Sequence, residues 1–231
     1  MKTVGRAFGL VAVVAGAVLA VSAAAAAGPA KKHDGLLAGV VHADISKVSA
    51  SGVTRETTLD RGEVTASSAA SISLKRADGQ SVTLAVSATT KVRGMVAVGK
   101  KALVLSRDGT AILVRVRGAG ISTFALEAVA HDKQLNVLRG AVHADLDLIR
   151  ADGSTDSLAY DRGEITAKTS SSITLKRKDA KSVTLAVDAS TKVRERGQAA
   201  TLASLQVGER AMFFSRDGKA FLIRCVTKAK S

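Results

Sequence analysis

The sequence predicts an all-β protein: two small OB-like β-barrels in tandem, each with an additional leading hairpin, behind an N-terminal export segment. Three observations carry this. A stretch of thirty-odd residues occurs twice, as DRGEVTASSAASISLKRADGQSVTLAVSATTKVR from Asp60 and as DRGEITAKTSSSITLKRKDAKSVTLAVDASTKVR from Asp161, 101 positions later. Within each copy apolar and polar residues alternate, the period of a strand with one face in a core. Clusters of Gly, Asp and Ser interrupt the alternation where hairpins would turn.

The chain begins with Lys2 and Arg6, continues in an apolar run from Phe8 and ends that run in the small residues Ala23 to Ala27. That is the layout of a signal peptide over residues 1–27, and it places the mature chain outside the cytoplasm, in the cell envelope or secreted. An uncleaved anchor is the alternative, because the run is about long enough to span a bilayer; the alanines favour cleavage, which leaves no integral membrane segment. Cys225 is the one cysteine in the chain, so an exported fold has no internal disulfide and rests on its core.

The copies are laid out by their matches. Gly39 to Asp44 corresponds to Gly140 to Asp145 at the same offset, whereas Ser106-Arg107-Asp108-Gly109 corresponds to Ser215-Arg216-Asp217-Gly218 at an offset of 109. The second copy therefore carries an eight-residue insertion within ERGQAATLASLQVGER. His33-Asp34 matches His131-Asp132, so the repeats span 33–118 and 131–228 with a connector over 119–130. Two copies are too few for a solenoid. Each is large enough for a core of its own, which makes two beads on one chain the simplest expectation.

Each element follows from its residues. VHADLDLIRADGSTDSLAY reads as the leading hairpin of the second copy. Asp60-Arg61-Gly62-Glu63 and Asp161-Arg162-Gly163-Glu164 read as turns into a strand. Ile72 and Leu74 share one face, and Val82, Leu84 and Val86 share the facing one across Asp78-Gly79, a pair suited to the positive φ of a hairpin. ALVLSRDGTAILVRV repeats the device through Asp108-Gly109, and ATLASLQVG in the insertion fits a short helical turn.

The order RGEVTA, SISLKR, DGQSVTLAV, TTKVRG, VGKKALVLSRDGTAILVRV resembles a bacterial family of secreted OB-like β-barrel domains of unknown function. The resemblance covers about 61–118 and 162–228 and rests on turn glycines and alternating valines. It implies a barrel in an exported setting, and it implies no reaction.

The chemistry-bearing residues fall in four groups. His42 and Asp44, with His143 and Asp145, project from one strand face in each copy; imidazole beside carboxylate suits a divalent metal such as zinc or copper, while an ordinary cross-strand pair is the simpler reading. The two carboxylates of each tetrad, Asp60 with Glu63 and Asp161 with Glu164, invite a hydrolase reading with one acid and one base, but catalytic sites are usually single and this tetrad appears once per copy. The serine runs hold no nucleophile elbow, and neither a phosphate loop nor a dinucleotide fingerprint is present; the chain reads as a non-enzyme without a cofactor. The fourth group is basic: Lys75, Arg76, Lys91 and Arg93 in the first copy, Lys176, Arg177, Lys178, Lys181, Lys192 and Arg194 in the second. With a net charge of +14, these point to an anionic envelope polymer, or a protein, as partner. Aromatic residues make up 3% of the chain, which argues against single-stranded nucleic acid, whose bases stack on aromatic rings.

Cys225 and Phe221, two strand periods apart with Ile223 between, read as inward-facing core.

Overall fold

The computed structural model describes residues 37, 39–116 and 138–227. The predicted export segment, the predicted connector, His33 and His131 lie outside the described residues. Among these residues every regular element is a strand, and none is a helix long and apolar enough to cross a membrane.

Seven strands build the first copy: β1 (Val40–Val48), β2 (Thr54–Ser67), β3 (Ser71–Arg76), β4 (Ser81–Ala85), β5 (Lys91–Arg93), β6 (Lys101–Arg107) and β7 (Thr110–Val116). The predicted hairpins form. At Asp108-Gly109 both residues have positive φ, 49° and 72°, the geometry that matches strand twist in a two-residue turn. β2 pairs antiparallel with β3 and β6, β3 with β4, and β6 with β7; Ala85 of β4 then meets Thr110 of β7 in parallel. This circuit closes a five-stranded barrel around Val64, Ile72, Leu74, Leu84, Val104 and Val114.

The second copy has β8 (Ala141–Ile149), β9 (Thr155–Lys168), β10 (Ser172–Arg177), β11 (Ser182–Ala186), β12 (Lys192–Glu195), β13 (Gln198–Ala200), β14 (Arg210–Arg216) and β15 (Lys219–Thr227). Its pairings repeat the circuit, β9 with β10 and β14, β10 with β11, β14 with β15, and β11 parallel to β15. Ile165, Ile173, Leu175, Phe213, Ile223 and Cys225 pack together there.

Several expectations change. The Asp-Arg-Gly-Glu tetrads are not turns: they lie in the middle of β2 and β9, each a continuous strand of 14 residues. Gly62 and Gly163 are there because the following hairpin crosses close over the strand; a Cβ on either would collide with the carbonyl oxygen of Lys75 or Lys176. The leading hairpin is therefore no separate unit, since its second strand runs on as the barrel's long strand. The insertion supplies β13 and then a single turn, in which Ser204 N–H donates to the Thr201 carbonyl oxygen and Leu205 N–H to that of Leu202, at 3.2 and 3.3 Å. Finally, Phe221 does not share a core with Ile223 and Cys225. The register of β14 on β15 shifts between Phe214 and Ser215, and this bulge turns Phe221 toward Tyr160 and Phe214 in a different cluster.

That cluster joins the copies. β1 pairs antiparallel with β8 so that Asp44 faces its own counterpart Asp145, while Ala43 faces Leu146 and Ile45 faces Ala144. A local two-fold relation thus passes between the two aspartates, and small residues sit opposite large ones on the buried face. Ala43, Ile45, Leu59 and Leu103 from the first copy pack with Ala144, Leu146, Leu158, Tyr160 and Phe214 from the second. The beads expectation gives way here, and the described residues form one compact unit. The reason is the leading strand: it lies outside each barrel circuit, and its apolar face needs cover that the other copy supplies.

Candidate functional site

On the opposite face of the β1–β8 pair stands a polar network, present once per copy. His42 and Asp60 are cross-strand partners, and His42 Nδ1 lies 2.9 Å from Asp60 Oδ1. Arg76, reaching over Gly62, donates from Nη1 to the same oxygen at 3.1 Å and from Nη2 to Asp78 at 2.7 Å. His42 Nε2 is 3.3 Å from Asp44. The second copy repeats each contact: His143 Nδ1 to Asp161 at 2.9 Å, Arg177 Nη1 to Asp161 at 2.8 Å, Arg177 Nη2 to Asp179 at 2.8 Å, and His143 Nε2 to Asp145 at 3.2 Å. Asp60 and Asp161 are 2% and 3% exposed at the side chain. A carboxylate so buried needs these donors, because an unpaired buried charge is costly.

The charges respond as this geometry requires. The hydrogen bond that His143 makes to Asp161 raises the His143 pKa above its ordinary value against the opposing effect of burial. Burial opposes ionisation of Asp78 and Asp179, yet the hydrogen bonds from Arg76 and Arg177 hold both carboxyls below the usual carboxylate range.

This network regroups the residues singled out in the sequence. His42, Asp44, His143 and Asp145 are engaged with one another and with the buried aspartates. Among the described residues no group of three or more His, Cys, Asp or Glu side chains is placed to hold a metal ion. Arg76 and Arg177, read as surface cations, are 12% and 8% exposed and paired on both sides, so they are structural. Glu63 forms an ion pair with Lys101 at 2.9 Å. The Cys225 thiol is pushed up to about 12 by burial and by Glu209, which leaves it without nucleophilic character.

The remaining basic candidates, Lys75, Lys91, Arg93, Lys176, Lys178, Lys181, Lys192 and Arg194, are exposed. Two of them, Lys176 and Lys178, line a cleft of about 670 Å³ where the second copy meets the end of β1. Arg162 and Arg210 line it too, with Glu164 as the acid on its wall and Val48 contributed by the first copy. Arg177 lies at its lining, already neutralised by Asp161 and Asp179. Lys178 Nζ reaches across to the Ser49 carbonyl oxygen at 3.4 Å, while Arg162, Lys176 and Arg210 form no ion pair among the described residues. Arg162 and Arg210 were not singled out from sequence. Arg162 was hidden in a presumed turn, and Arg210 is brought to the cleft by the β9–β14 pairing, in which it faces Glu164.

The corresponding surface of the first copy differs. Ala77 stands where Lys178 does, and Lys101, the counterpart of Arg210, is neutralised by Glu63.

Comparison with protein-family models finds no match, and comparison with curated proteins finds no relative.

Proposed function

We propose that the chain is an exported, non-catalytic module of two tandem OB-like barrels that binds an anionic polymer of the cell envelope, with the cleft of the second copy as its grip. The observation that carries the reading is the set Arg162, Lys176, Lys178 and Arg210 around one cleft, opposed by the single carboxylate of Glu164. Cations gathered in a concave, partly desolvated surface focus the field that attracts a polyanion. The long antiparallel circuits in both copies and the apolar N-terminal run support the barrel and export parts of the reading. The paired His-Asp-Arg networks act within it as struts, since every member already has a partner.

The reading is tested by titrating a labelled alginate oligomer, a polycarboxylate, and a short polyphosphate into the mature chain from Gly28 at rising salt. Binding of either polymer should weaken steeply as salt displaces the charge contacts, because each neutralised anionic group releases a counterion. Binding indifferent to salt, or no binding to either polymer, overturns it.

A further inference from the structure

The two copies differ in charge at one corner of their shared core, where the leading hairpin meets the last hairpin of the barrel. In the second copy Leu148 of β8 faces Asp156 of β9. Asp156 accepts hydrogen bonds from Arg150 and, at 2.7 Å, from Arg216 Nη2. Arg216 also lies 5.6 Å over the centre of the Phe221 ring. One carboxylate therefore answers two guanidinium groups.

The counterparts of Leu148, Asp156 and Arg216 in the first copy are Lys47, Arg55 and Arg107. The central carboxylate has become a cation. Lys47 and Arg55 face each other directly across β1 and β2, an arrangement in which like charges destabilise a strand pair. Burial and the nearby Arg107 charge lower the Lys47 pKa from its ordinary value, which places Arg107 within electrostatic reach. Arg107 Nε is buried without a hydrogen-bond partner among the described residues, a condition that native interiors rarely leave unanswered. Neither Arg55 nor Arg107 forms an ion pair among the described residues. The nearest acid on β2, Glu56, is engaged by Ser46 Oγ at 2.8 and 2.9 Å.

We propose that Lys47, Arg55 and Arg107 form a binding site for one oxyanion group, a carboxylate or a phosphate, seated where the Asp156 carboxylate sits in the second copy. The internal duplicate supplies the template, since it shows an Arg at the end of β14 satisfied by an oxyanion oxygen at hydrogen-bond distance. Arg55 would approach the same group from the strand that bears Asp156 in the twin. Guanidinium groups suit this ligand because their planar fork of donors matches carboxylate and phosphate oxygens. The site shares no residue with the cleft of the second copy and does not depend on the polymer reading.

The test is thermal unfolding of the mature chain in inorganic phosphate, in succinate and in chloride at matched ionic strength. Phosphate or succinate should raise the midpoint by about 2–4 °C once it exceeds its dissociation constant several-fold, and chloride should not. Arg55→Asp restores the carboxylate that the twin carries; it should raise the midpoint without added anion and abolish the oxyanion response. Lys178→Ala with Arg210→Ala, which empties the cleft of two charges, should leave that response in place. A rise with phosphate alone or succinate alone supports the site and names its chemistry. The proposal is overturned by the absence of any oxyanion-specific rise, or by a response that survives Arg55→Asp. A response lost in the cleft variant but kept in Arg55→Asp also overturns it, and assigns the anion to the cleft instead.

Discussion

The two copies share a strand circuit and a buried His-Asp-Arg network, yet they resolve the same structural problems with different residues. On the shared core the first copy contributes Leu59 and Leu105, where the second contributes the tilted aromatic pair Tyr160 and Phe214, with ring centres 5.2 Å apart. Beside β5, Val92 is 50% exposed; its counterpart Val193 is 4% exposed because the insertion adds β13 along β12. Lys168 fastens that insertion by donating to the carbonyl oxygens of Leu202, Ala203 and Leu205. The difference teaches that the parts held in common maintain the architecture, namely the barrel circuit, the strut and the joining strand. The parts that diverged are the filling of the shared core, where an aromatic pair stands in place of two leucines, and three surfaces: the cleft, the cation corner and the edge beside β5.

The shared strut gives the largest expected effect. Asp161→Ala would leave Arg177 buried beside a single remaining carboxylate and should cost about 3–5 kcal/mol. Asp60→Ala should cost a similar amount, and urea unfolding of the two variants compares them directly. A cost under about 1 kcal/mol in either copy would break the claim that the network is a strut. Next, Phe214→Ala should cost about 3–5 kcal/mol, and the half-buried Leu105→Ala clearly less. Because the central core belongs to both copies, each variant should still unfold in one transition; two resolved transitions would restore independent beads.

Smaller effects sharpen the contrast. Val193→Ser should destabilise by about 2 kcal/mol or more through lost burial and an added buried hydroxyl, while Val92→Ser should stay within about 0.5 kcal/mol, as surface changes usually do. In the tight turn after β10, Ala180 has a φ of 66° where the first copy has Gly79 at 86°. A left-handed conformation strains an alanine, so Ala180→Gly should stabilise by about 0.5–1 kcal/mol, and an unchanged midpoint would show that the turn carries no strain.

The His143 strut also has a pH signature. Its folded pKa is raised above 6.5, so the folded state binds the proton more tightly than the unfolded one. The stabilisation is full below the unfolded value and is lost as pH rises through the folded value. His143→Gln should flatten stability across that window, and a wild-type-like slope in the variant would place the titration elsewhere.

Much of the fold was legible because it is local. Alternation around Ile72, Leu74, Val82 and Leu84 and the turns at Asp78-Gly79 and Asp108-Gly109 correspond to the strands and hairpins found. The continuity of β2 through Gly62 was not legible, since a glycine kept for close approach of another strand looks the same in sequence as a turn glycine. Nor was the β1–β8 pairing, whose partners lie about a hundred residues apart and leave no local period. The site was legible only in type. A run such as Lys176-Arg177-Lys178 announces charge, but burial decides which member faces solvent. Only the chain path shows that Arg177 answers Asp161 while Lys176 and Lys178 face a cleft with Arg162 and Arg210.

The central claim is that the two copies are unequal, and that the second one holds the polyanion. The most direct test compares the affinity of a short polyphosphate for two matched variants, Lys176→Ala with Arg210→Ala in the second copy and their counterparts Lys75→Ala with Lys101→Ala in the first. The account predicts a loss of about tenfold or more for the former, a change of about 1.4 kcal/mol, and under about twofold for the latter. Equal losses from the two pairs would contradict it and make polyanion binding a property of the overall basic surface.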